Sequence, residues 1–260
     1  MLLVIDVGNT NTVMGVYAKQ ELRASWRLRT ERHSTADELG VLVSSLFRAA
    51  RIPMDHIRQT VISCVVPPLV NSLHEFCQHY FGHAPLWVEA KSYPRMPLKV
   101  VNPSEVGADR IVNAVGAFEK FNSALIVIDF GTATTFDIIS ARGEYLGGAI
   151  APGLKISAEA LFMKASKLPR VEIFAPPEKV IGQTTIDSIR SGLIYGYAGL
   201  VDGMVGRLKT EIAGDVKVIA TGGLAGLIAE VSRSIEAVEP DLTLEGLRII
   251  GNYCASPQTG

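Results

Sequence analysis

Two short segments of the sequence carry the same order of residue types and could bind phosphate. Val4–Val13 reads VIDVGNTNTV, and Val127–Phe136 reads VIDFGTATTF. Each segment begins with β-branched apolar residues, places an aspartate at the end of that run, and continues with glycine and small hydroxyl or amide residues. This order predicts a strand, a carboxylate at its tip, and a tight turn whose backbone can approach a ligand.

The two turns suit a nucleotide, because backbone N–H groups can donate to phosphate oxygens where no bulky side chain intervenes. Asp6 and Asp129 would repel phosphate, so we expect these carboxylates to hold cations, directly or through water. The alternative is a pair of ordinary hairpins in which aspartate caps a turn. Two copies that open two similar halves of the chain favour phosphate binding.

A third segment, NPSEVGADRIVNAVGAF over 102–118, contains the acid–base candidates. Asp109 and Arg110 lie near the predicted start of a helix, with Ser104 as its N-cap. Phosphoryl transfer to an alcohol needs a group that accepts the hydroxyl proton, and aspartate is the usual choice. Arginine can bind a carboxylate or a phosphate through two parallel hydrogen bonds. The alternative is a surface ion pair that contributes little.

The elements that must position these residues follow the same order in both halves of the chain. The first half predicts strands over 2–7, 12–17, 22–28, 60–66 and 84–90, and helices over 35–50 and through the seventies. Ser34 or Thr35 would cap the first helix, with Glu38, three residues after Thr35, completing a capping box. A helix over 104–120 follows. The second half predicts strands over 124–130, 134–140, 144–150 and 216–223, and helices over 153–165, 184–212, 223–232 and 244–253. We expect two lobes, 1–120 and 121–260, with the C-terminal helix crossing back over the boundary.

The bulk composition limits the possible partners. The 260 residues are 48% hydrophobic and carry a net charge of −1, which argues against a surface for nucleic acid or for an anionic membrane. No apolar run approaches the ~20 residues of a membrane span, and no basic leader precedes an apolar stretch. Three scattered cysteines do not form a disulfide framework or a zinc site. The sequence therefore predicts a cytoplasmic protein without a nucleic-acid or membrane partner.

Four segments resemble, in order and spacing, those of type III pantothenate kinases, within the acetate and sugar kinase, Hsp70 and actin superfamily. They are DVGNTNT at 6–12, EVGADR at 105–110, DFGTATT at 129–135 and GGAIAPG at 147–153. VIATGG at 218–223 resembles the superfamily's adenosine segment, and GQTTIDSIRSG at 182–192 resembles a further family stretch. The resemblance implies an α/β fold with two similar lobes of actin-like (ribonuclease H-like) fold. Each lobe would have a mixed five-stranded sheet with helices, and the nucleotide cleft would lie between them.

The sequence departs from the family pattern at one place. Family members often carry a tyrosine shortly before the Asn102–Pro103 pair, and this chain has Lys99, Val100 and Val101 there. The nearest tyrosine upstream is Tyr93. This chain therefore lacks the tyrosine that usually contacts pantothenate in the family, whereas the residues expected to carry the catalysis are present.

The resemblance also implies an activity: ATP-dependent phosphorylation of the primary hydroxyl of pantothenate to 4'-phosphopantothenate, the first step of coenzyme A biosynthesis. Asp109 would be the catalytic base. The residues that would contact pantothenate are Gly107, Ala108, Asp109, Arg110 and Thr184, with Thr185 as the alternative to Thr184 and a helix cap as the other reading of Thr184. The residues that would bind ATP are Asp6, Val7, Gly8, Asn9, Thr10, Asn11, Thr12, Val13 and Thr132.

The same resemblance implies two cations and a partner subunit. Asp6 would position Mg²⁺, through water, and Asp129 would bind a monovalent cation, K⁺ or NH₄⁺. The family is dimeric with the substrate pocket near the subunit interface, and the apolar helices at 153–165 and 190–205 would leave room for a partner.

Three rival functions use the same fold. A sugar or carboxylate kinase of the superfamily would not be expected to combine EVGADR with GGAIAPG. A non-enzymatic transcriptional accessory factor should lack the base Asp109 or the cation ligand Asp129, and this chain has both. An actin-like filament protein or chaperone ATPase needs further subdomains for which 260 residues leave no room.

Overall fold

The computed structural model describes residues 1–255, and within them the chain separates into two compact units. The first unit comprises Met1–Met96, Val101–Gly116 and, among the described residues, 242–255. The second comprises Pro97–Val100 and Ala117–Asp241. Each unit contains one five-stranded mixed sheet.

The sheet of the first unit begins with an antiparallel meander and ends with two parallel strands. The meander consists of β1 (Leu2–Val7), β2 (Asn11–Ala18) and β3 (Glu21–Arg29). Strand β4 (Gln59–Cys64) runs parallel to β1, and β5 (Leu86–Trp87) runs parallel to β4, which gives the order β3-β2-β1-β4-β5.

Helices cover both faces of this sheet. Leu3, Ile5 and Val7 point into a core shared with α1 (Ala36–Ala49) and α2 (Val70–Phe81). The opposite face, with Leu2 and Val4, packs against α7 (Leu242–Ala255), which approaches α3 (Ala108–Phe121) closely. The expected capping box of α1 is confirmed, because Thr35 and Glu38 each accept a hydrogen bond from the other's backbone N–H.

The sheet of the second unit repeats this topology. Its strands are β6 (Ala124–Phe130), β7 (Ala133–Ile139), β8 (Tyr145–Pro152), β9 (Val216–Thr221) and β10 (Ala237–Val238), in the order β10-β9-β6-β7-β8. The helices of this unit are α4 (Leu154–Lys164), α5 (Thr185–Glu211) and α6 (Ala225–Ala229). A meander followed by two parallel strands therefore occurs twice, which confirms the doubled architecture.

Three expectations from the sequence are corrected by the structure. The helix expected over 104–120 begins only at Ala108, because Pro103–Glu105 form a 3₁₀ turn that contains Ser104, so Ser104 is not its N-cap. The helix expected over 223–232 is limited to Ala225–Ala229. Six apolar residues of 190–205 are buried and so are not available to a partner; they are Leu193, Ile194, Tyr197, Ala198, Val201 and Val205.

No helix in the described part of the chain combines the length and apolar character that crossing a membrane requires.

Candidate functional site

The turn after β1 is held from the side by the end of β3. The N–H of Gly8 donates to the Asn11 carbonyl at 3.0 Å, and the Thr30 hydroxyl donates to the Gly8 carbonyl at 2.7 Å. The Thr30 N–H donates to the Thr10 carbonyl at 3.0 Å. The Gly8 amide is thus used inside the turn, and the exposed positions at its tip are Asn9 and Thr10.

The residues at 6–13 divide by burial into those that form the turn and those that anchor it. Val7 and Thr12 are buried, and the Thr12 hydroxyl lies 2.9 Å from the Thr30 hydroxyl. Asp6, Gly8, Asn11 and Val13 are half-buried. A ligand on this turn would therefore meet the backbone of the tip and the side chains of its half-buried and exposed residues.

Arg32 lies beside the first turn and was missed in the sequence. Its guanidinium donates to the Asn9 side-chain oxygen at 3.0 Å, and both residues are exposed. An arginine in this position adds a positive charge next to a turn expected to meet phosphate. The sequence signal is weak, because Arg32 stands in a charged loop, ERHS, with no distinguishing pattern.

The turn after β6 is held by the end of β8. The Gly131 N–H donates to the Ala133 carbonyl at 3.1 Å, and the Gly153 N–H donates to the Thr132 carbonyl at 3.1 Å. A Cβ added to Gly153 would lie 2.2 Å from the Thr132 carbonyl oxygen, so only glycine fits there. This packing explains why GGAIAPG accompanies DFGTATT, and it leaves Gly131 and Thr132 exposed at the tip.

Asp129 is surrounded by oxygen-bearing neighbours. It pairs with Thr135 on β7 and with Thr221 on β9, and paired residues point to the same face of a sheet. Gly222, with φ of +93°, follows Thr221, and a Cβ there would lie 2.5 Å from Asp129 Oδ1. The first glycine of the VIATGG segment therefore packs directly against the Asp129 carboxylate.

Asp6 has a different setting in the first unit. It pairs with Val13 on β2 and with Ser63 on β4, so one apolar and one hydroxyl side chain flank it. Burial raises the pKa of the neighbouring Cys64 thiol, the Val66 backbone hydrogen bond opposes this, and the Asp6 charge adds to the increase. The carboxylate and the thiol are thus close enough to interact.

Asp109 lies in the first turn of α3, where its Oδ1 accepts a hydrogen bond of 2.9 Å from the Arg110 N–H. Burial raises the pKa of the Asp109 carboxyl above its ordinary value, while the Arg110 backbone hydrogen bond and guanidinium partly oppose that rise. A carboxylate whose pKa is raised by desolvation accepts a proton more readily, which is the property of a general base.

Gly107 makes room for the Asp109 carboxylate. A Cβ built on Gly107 would lie 2.5 Å from Asp109 Oδ1, so any larger residue would displace the carboxylate. The sequence assigned this glycine to the approach of substrate, and the structure adds its closeness to the Asp109 carboxylate. Ala108 and Arg110, on either side of Asp109, are half-buried.

Thr184 is the N-cap of α5. Its hydroxyl accepts from the Asp187 N–H at 3.1 Å and donates to the Asp187 carboxylate at 2.7 Å. Thr185 is the first residue of the helix, and both threonines are exposed. The capping role, which the sequence left open, is present.

The place of the missing tyrosine, residues 99–101, contains no aromatic side chain. Val101 is 96% exposed, whereas Tyr93 is 4% exposed and its ring packs on Tyr253 at 5.0 Å between centroids. Tyr93 is therefore a core residue of the first unit.

Residues 1–255 contain no group of three or more His, Cys, Asp and Glu side chains arranged to hold a metal ion. The donor sets at Asp6 and Asp129 are instead single carboxylates with neighbouring hydroxyls. One carboxylate suits Mg²⁺, which keeps several waters and also binds substrate phosphates. A carboxylate with neutral oxygens around it suits a larger monovalent cation.

Comparison with known proteins identifies close relatives in sequence. A family model described as type III pantothenate kinase matches residues 2–207. A type III pantothenate kinase from Desulfatibacillum aliphaticivorans is 61% identical over 96% of this chain and 97% of that protein. One from Desulforapulum autotrophicum is 60% identical over 97% of each chain.

Solved structures of low sequence identity share the fold. A protein named as a 2-dehydro-3-deoxygalactonokinase from Sinorhizobium meliloti has a TM-score of 0.60 and 13% identity, with 98% of this chain and 99% of that chain covered. A protein named as a Baf family transcriptional activator from Campylobacter jejuni has a TM-score of 0.59 and 18% identity, with 97% and 98% covered. These similarities confirm the actin-like α/β fold.

Proposed function

The chain belongs to the type III pantothenate kinase family, and we infer that it transfers the γ-phosphoryl group of ATP to the primary hydroxyl of pantothenate, in coenzyme A biosynthesis. The pantothenate hydroxyl oxygen forms the new bond to the γ-phosphorus, and the bond from that phosphorus to the β-phosphate oxygen breaks. ADP and 4'-phosphopantothenate are the products.

We propose that Asp109 accepts the hydroxyl proton. The observation that carries this assignment is the desolvated carboxylate at the start of α3, whose pKa is raised by burial. Proton acceptance by a positioned carboxylate typically accelerates such a step by ~10²–10⁴-fold. Gly107 keeps the space that the carboxylate occupies. Arg110, the next residue, would bind an anionic group of the substrate, and Ala108 and Thr184 would make further contacts.

The two turns would bind the phosphates of ATP. In the first turn the residues are those of 6–13, and Arg32 is an additional candidate because it is exposed and hydrogen-bonded to Asn9. In the second turn the residue is Thr132, whose carbonyl is already engaged by Gly153 and whose hydroxyl is at the exposed tip. We propose that the lobes 1–120 and 121–260, with α7 returning to the first, each contribute one of these turns.

A kinase of this kind uses a divalent metal with ATP, and we propose that the metal is Mg²⁺ held through water by Asp6. The cation neutralises charge on the phosphates when it is bound. We further propose a monovalent cation, K⁺ or NH₄⁺, at Asp129, supported by the two threonines that pair with that residue.

We propose that the protein is a cytoplasmic homodimer. Several large apolar side chains are exposed in the second unit, on α4 and in the segment before α5: Ile156, Leu161, Phe162, Met163, Phe174, Val180 and Ile181. If these side chains form a contiguous surface, such a surface is typical of an interface between subunits. Sedimentation of the purified protein should give twice the monomer mass, and Phe162→Glu with Met163→Glu should give the monomer.

The function is tested by ATP consumption with pantothenate, compared with a panel of sugars, acetate and no acceptor. We expect turnover with pantothenate and formation of its 4'-phosphate. Turnover with a sugar or acetate instead would indicate another kinase of the superfamily. No turnover with any acceptor would support a non-enzymatic factor.

The monovalent cation is tested separately, by replacing sodium with potassium at constant ionic strength. Activity should rise with potassium in the wild type, and Asp129→Asn should flatten that response. Equal rates in the two salts would remove this role from Asp129.

A further inference from the structure

The second unit buries a carboxylate that the proposed reaction does not use. Asp137 on β7 is 0% exposed. Its Oδ1 accepts a hydrogen bond of 2.7 Å from the Tyr145 hydroxyl, and its Oδ2 accepts one of 3.2 Å from the Thr135 hydroxyl. Burying a carboxylate costs free energy unless hydrogen bonds compensate it, so its presence requires an explanation.

Asp137 belongs to a row of polar side chains that leads to Asp129. Asp137 pairs with Val127 and Thr135 pairs with Asp129, so Asp129, Thr135 and Asp137 share one face of the sheet. On the other side of Asp129, Thr221 pairs with it from β9, and the Thr221 hydroxyl donates to the Glu239 carbonyl at 2.7 Å. Side chains opposite each other in a sheet have Cβ atoms about 4.5–5.5 Å apart, which is within reach of a shared ion.

The direction of these hydrogen bonds decides what Asp129's neighbours can offer. A threonine hydroxyl has one proton and two lone pairs. The Thr135 proton is directed at Asp137, and the Thr221 proton is directed at Glu239. Both hydroxyls beside Asp129 therefore retain oxygen lone pairs, and a cation binds lone pairs and not protons.

The first unit provides an internal comparison for this arrangement. There Asp6 pairs with Val13, and Val4 pairs with Gly15, so Val13 and Gly15 stand where the second sheet has Thr135 and Asp137. Around Gly15 the space is filled by apolar side chains, since an added Cβ would lie 3.2 Å from atoms of Leu22, Leu244 and Val4. The same topology thus folds without a buried carboxylate at this position.

We propose that Asp137 is a positioning residue for the monovalent cation. By accepting the Thr135 hydroxyl proton, it orients the Thr135 oxygen as a ligand beside Asp129. This proposal rests on the cation site proposed at Asp129. Tyr145 fixes the second oxygen of the Asp137 carboxylate. Two main-chain hydrogen bonds hold Tyr145 itself. Its N–H donates to the Pro97 carbonyl at 3.0 Å, and its carbonyl accepts from the Lys99 N–H at 2.8 Å.

The decisive variants alter the hydroxyl of Thr135 or the acceptor at Asp137. Asp137→Asn replaces a carboxylate that only accepts with an amide that also donates, and Thr135→Val removes the ligand while keeping the shape. Both should raise the half-saturating potassium concentration about tenfold or more, the effect of losing one interaction with an ion. Thr135→Ser keeps the hydroxyl and should restore the wild-type value. Thr134→Val is the matched control, because Thr134 is the adjacent threonine and its hydroxyl is bonded to Tyr197 on the other face.

Two readouts are needed, so that a loss of fold is not mistaken for a loss of cation binding. The first is the potassium concentration that gives half-maximal activity. The second needs no turnover: it is the increase in Tm caused by KCl relative to NaCl at equal ionic strength, because a ligand that binds the native state stabilises it. Asp137→Asn and Thr135→Val should lose the potassium-specific increase in Tm, while Thr134→Val should keep it despite a lower starting Tm.

The outcomes separate this proposal from the cation site itself. If wild type shows no preference for potassium in either readout, the cation at Asp129 and the role of Asp137 are both wrong. If wild type prefers potassium and Thr135→Val keeps the wild-type half-saturating concentration, only the positioning role is wrong. Should Asp137→Asn fail to fold, the Thr135→Val and Thr135→Ser pair decides the question without it.

Discussion

The two hairpins that the sequence writes almost identically differ by one residue in their strand pairing. DVGNTNT and DFGTATT are equally long, yet Asp6 pairs with Val13 and Asp129 pairs with Thr135. The first turn closes with a hydrogen bond from Gly8 to the carbonyl three residues on, the second with one from Gly131 to the carbonyl two residues on. Each turn also has hydrogen bonds from outside its hairpin, from Thr30 to the first turn and from Gly153 to the second.

The difference in register changes which side chains face the two aspartates. Thr12 pairs with Val7 and Thr134 pairs with Phe130, and both threonines are buried, although the sequence alignment matches Thr12 with Thr135. The residue left beside Asp6 is a valine, and the residue left beside Asp129 is a threonine. A hydrated Mg²⁺ suits the first setting and a directly ligated monovalent cation suits the second.

The largest effect should lie outside both hairpins, because we propose that the hairpins bind ATP and that Asp109 accepts the substrate proton. Asp109→Asn keeps the size of the side chain and loses the proton acceptor, so kcat should fall by ~10²–10⁴-fold while both substrates still bind. Steady-state kinetics with calorimetric pantothenate binding measure this. Glu105→Gln is the control, since Glu105 is exposed and bonded to Asn102. If Asp109→Asn retained nearly full turnover, the base would be another residue, with Glu105 examined next.

The next effect compares the two turns directly. Gly8→Val and Gly131→Val should each weaken ATP binding by about tenfold or more, because a branched Cβ would occupy the space where phosphate approaches. Neither glycine has a positive φ, so both variants can fold. A Cβ added to Gly8 would lie 3.1 Å from the Asn11 carbonyl oxygen, and one added to Gly131 would lie 3.4 Å from the Ala133 carbonyl oxygen. Gly8→Val should therefore lose more stability than Gly131→Val.

The glycine comparison needs a control for substitution in general. Gly203→Ala in α5 serves, because a Cβ there meets nothing within 4 Å. It should leave ATP affinity unchanged. A folded Gly8→Val or Gly131→Val protein with wild-type ATP affinity would make that turn purely structural.

The pH dependence of catalysis should report the raised pKa of Asp109. Since burial raises the pKa of Asp109, the acid limb of kcat/KM should lie above the range of an ordinary aspartate. The folded state holds this proton more tightly than the unfolded state, so the contribution of Asp109 to stability falls as pH rises through its raised pKa. Asp109→Asn should remove that slope from urea unfolding measured over the same pH range. A limb at the ordinary aspartate value would contradict the assignment.

The smallest expected effect, on stability, tests whether Thr12 and Thr134 occupy equivalent buried positions in the two hairpins. Thr12→Val and Thr134→Val should each lower the free energy of unfolding by about 1 kcal/mol, because each removes one hydroxyl hydrogen bond in a buried site. In Thr134→Val the Tyr197 hydroxyl keeps its bond to the Pro152 carbonyl, which limits the loss. Urea unfolding measures both. If Thr134→Val were neutral and Thr12→Val costly, the two threonines would not be equivalent.

The sequence determined the elements and their order, because each depends on local signals. Apolar β-branched runs ended by an aspartate and glycine gave the first strand of each sheet, and the Thr35–Glu38 capping box marked the start of α1. Short elements were less well predicted. The predicted helix at α6 is twice as long as the observed one, and no strand was predicted at β10, which has two residues. Such short elements are stabilised by neighbours and not by their own residues.

The sequence also determined which carboxylates could do chemistry, and only the tertiary structure decided their surroundings. Asp6, Asp109 and Asp129 stand out by their neighbours in the chain. The pKa of Asp109 is raised by burial, which is a property of the folded chain. The closeness of Gly222 to Asp129 joins two residues that are far apart in the sequence. The hydrogen bonds that hold the two turns likewise come from outside the hairpins, from Thr30 in one unit and from Gly153 in the other. Local sequence specifies a strand and a turn, whereas pairing and burial are properties of the packed whole.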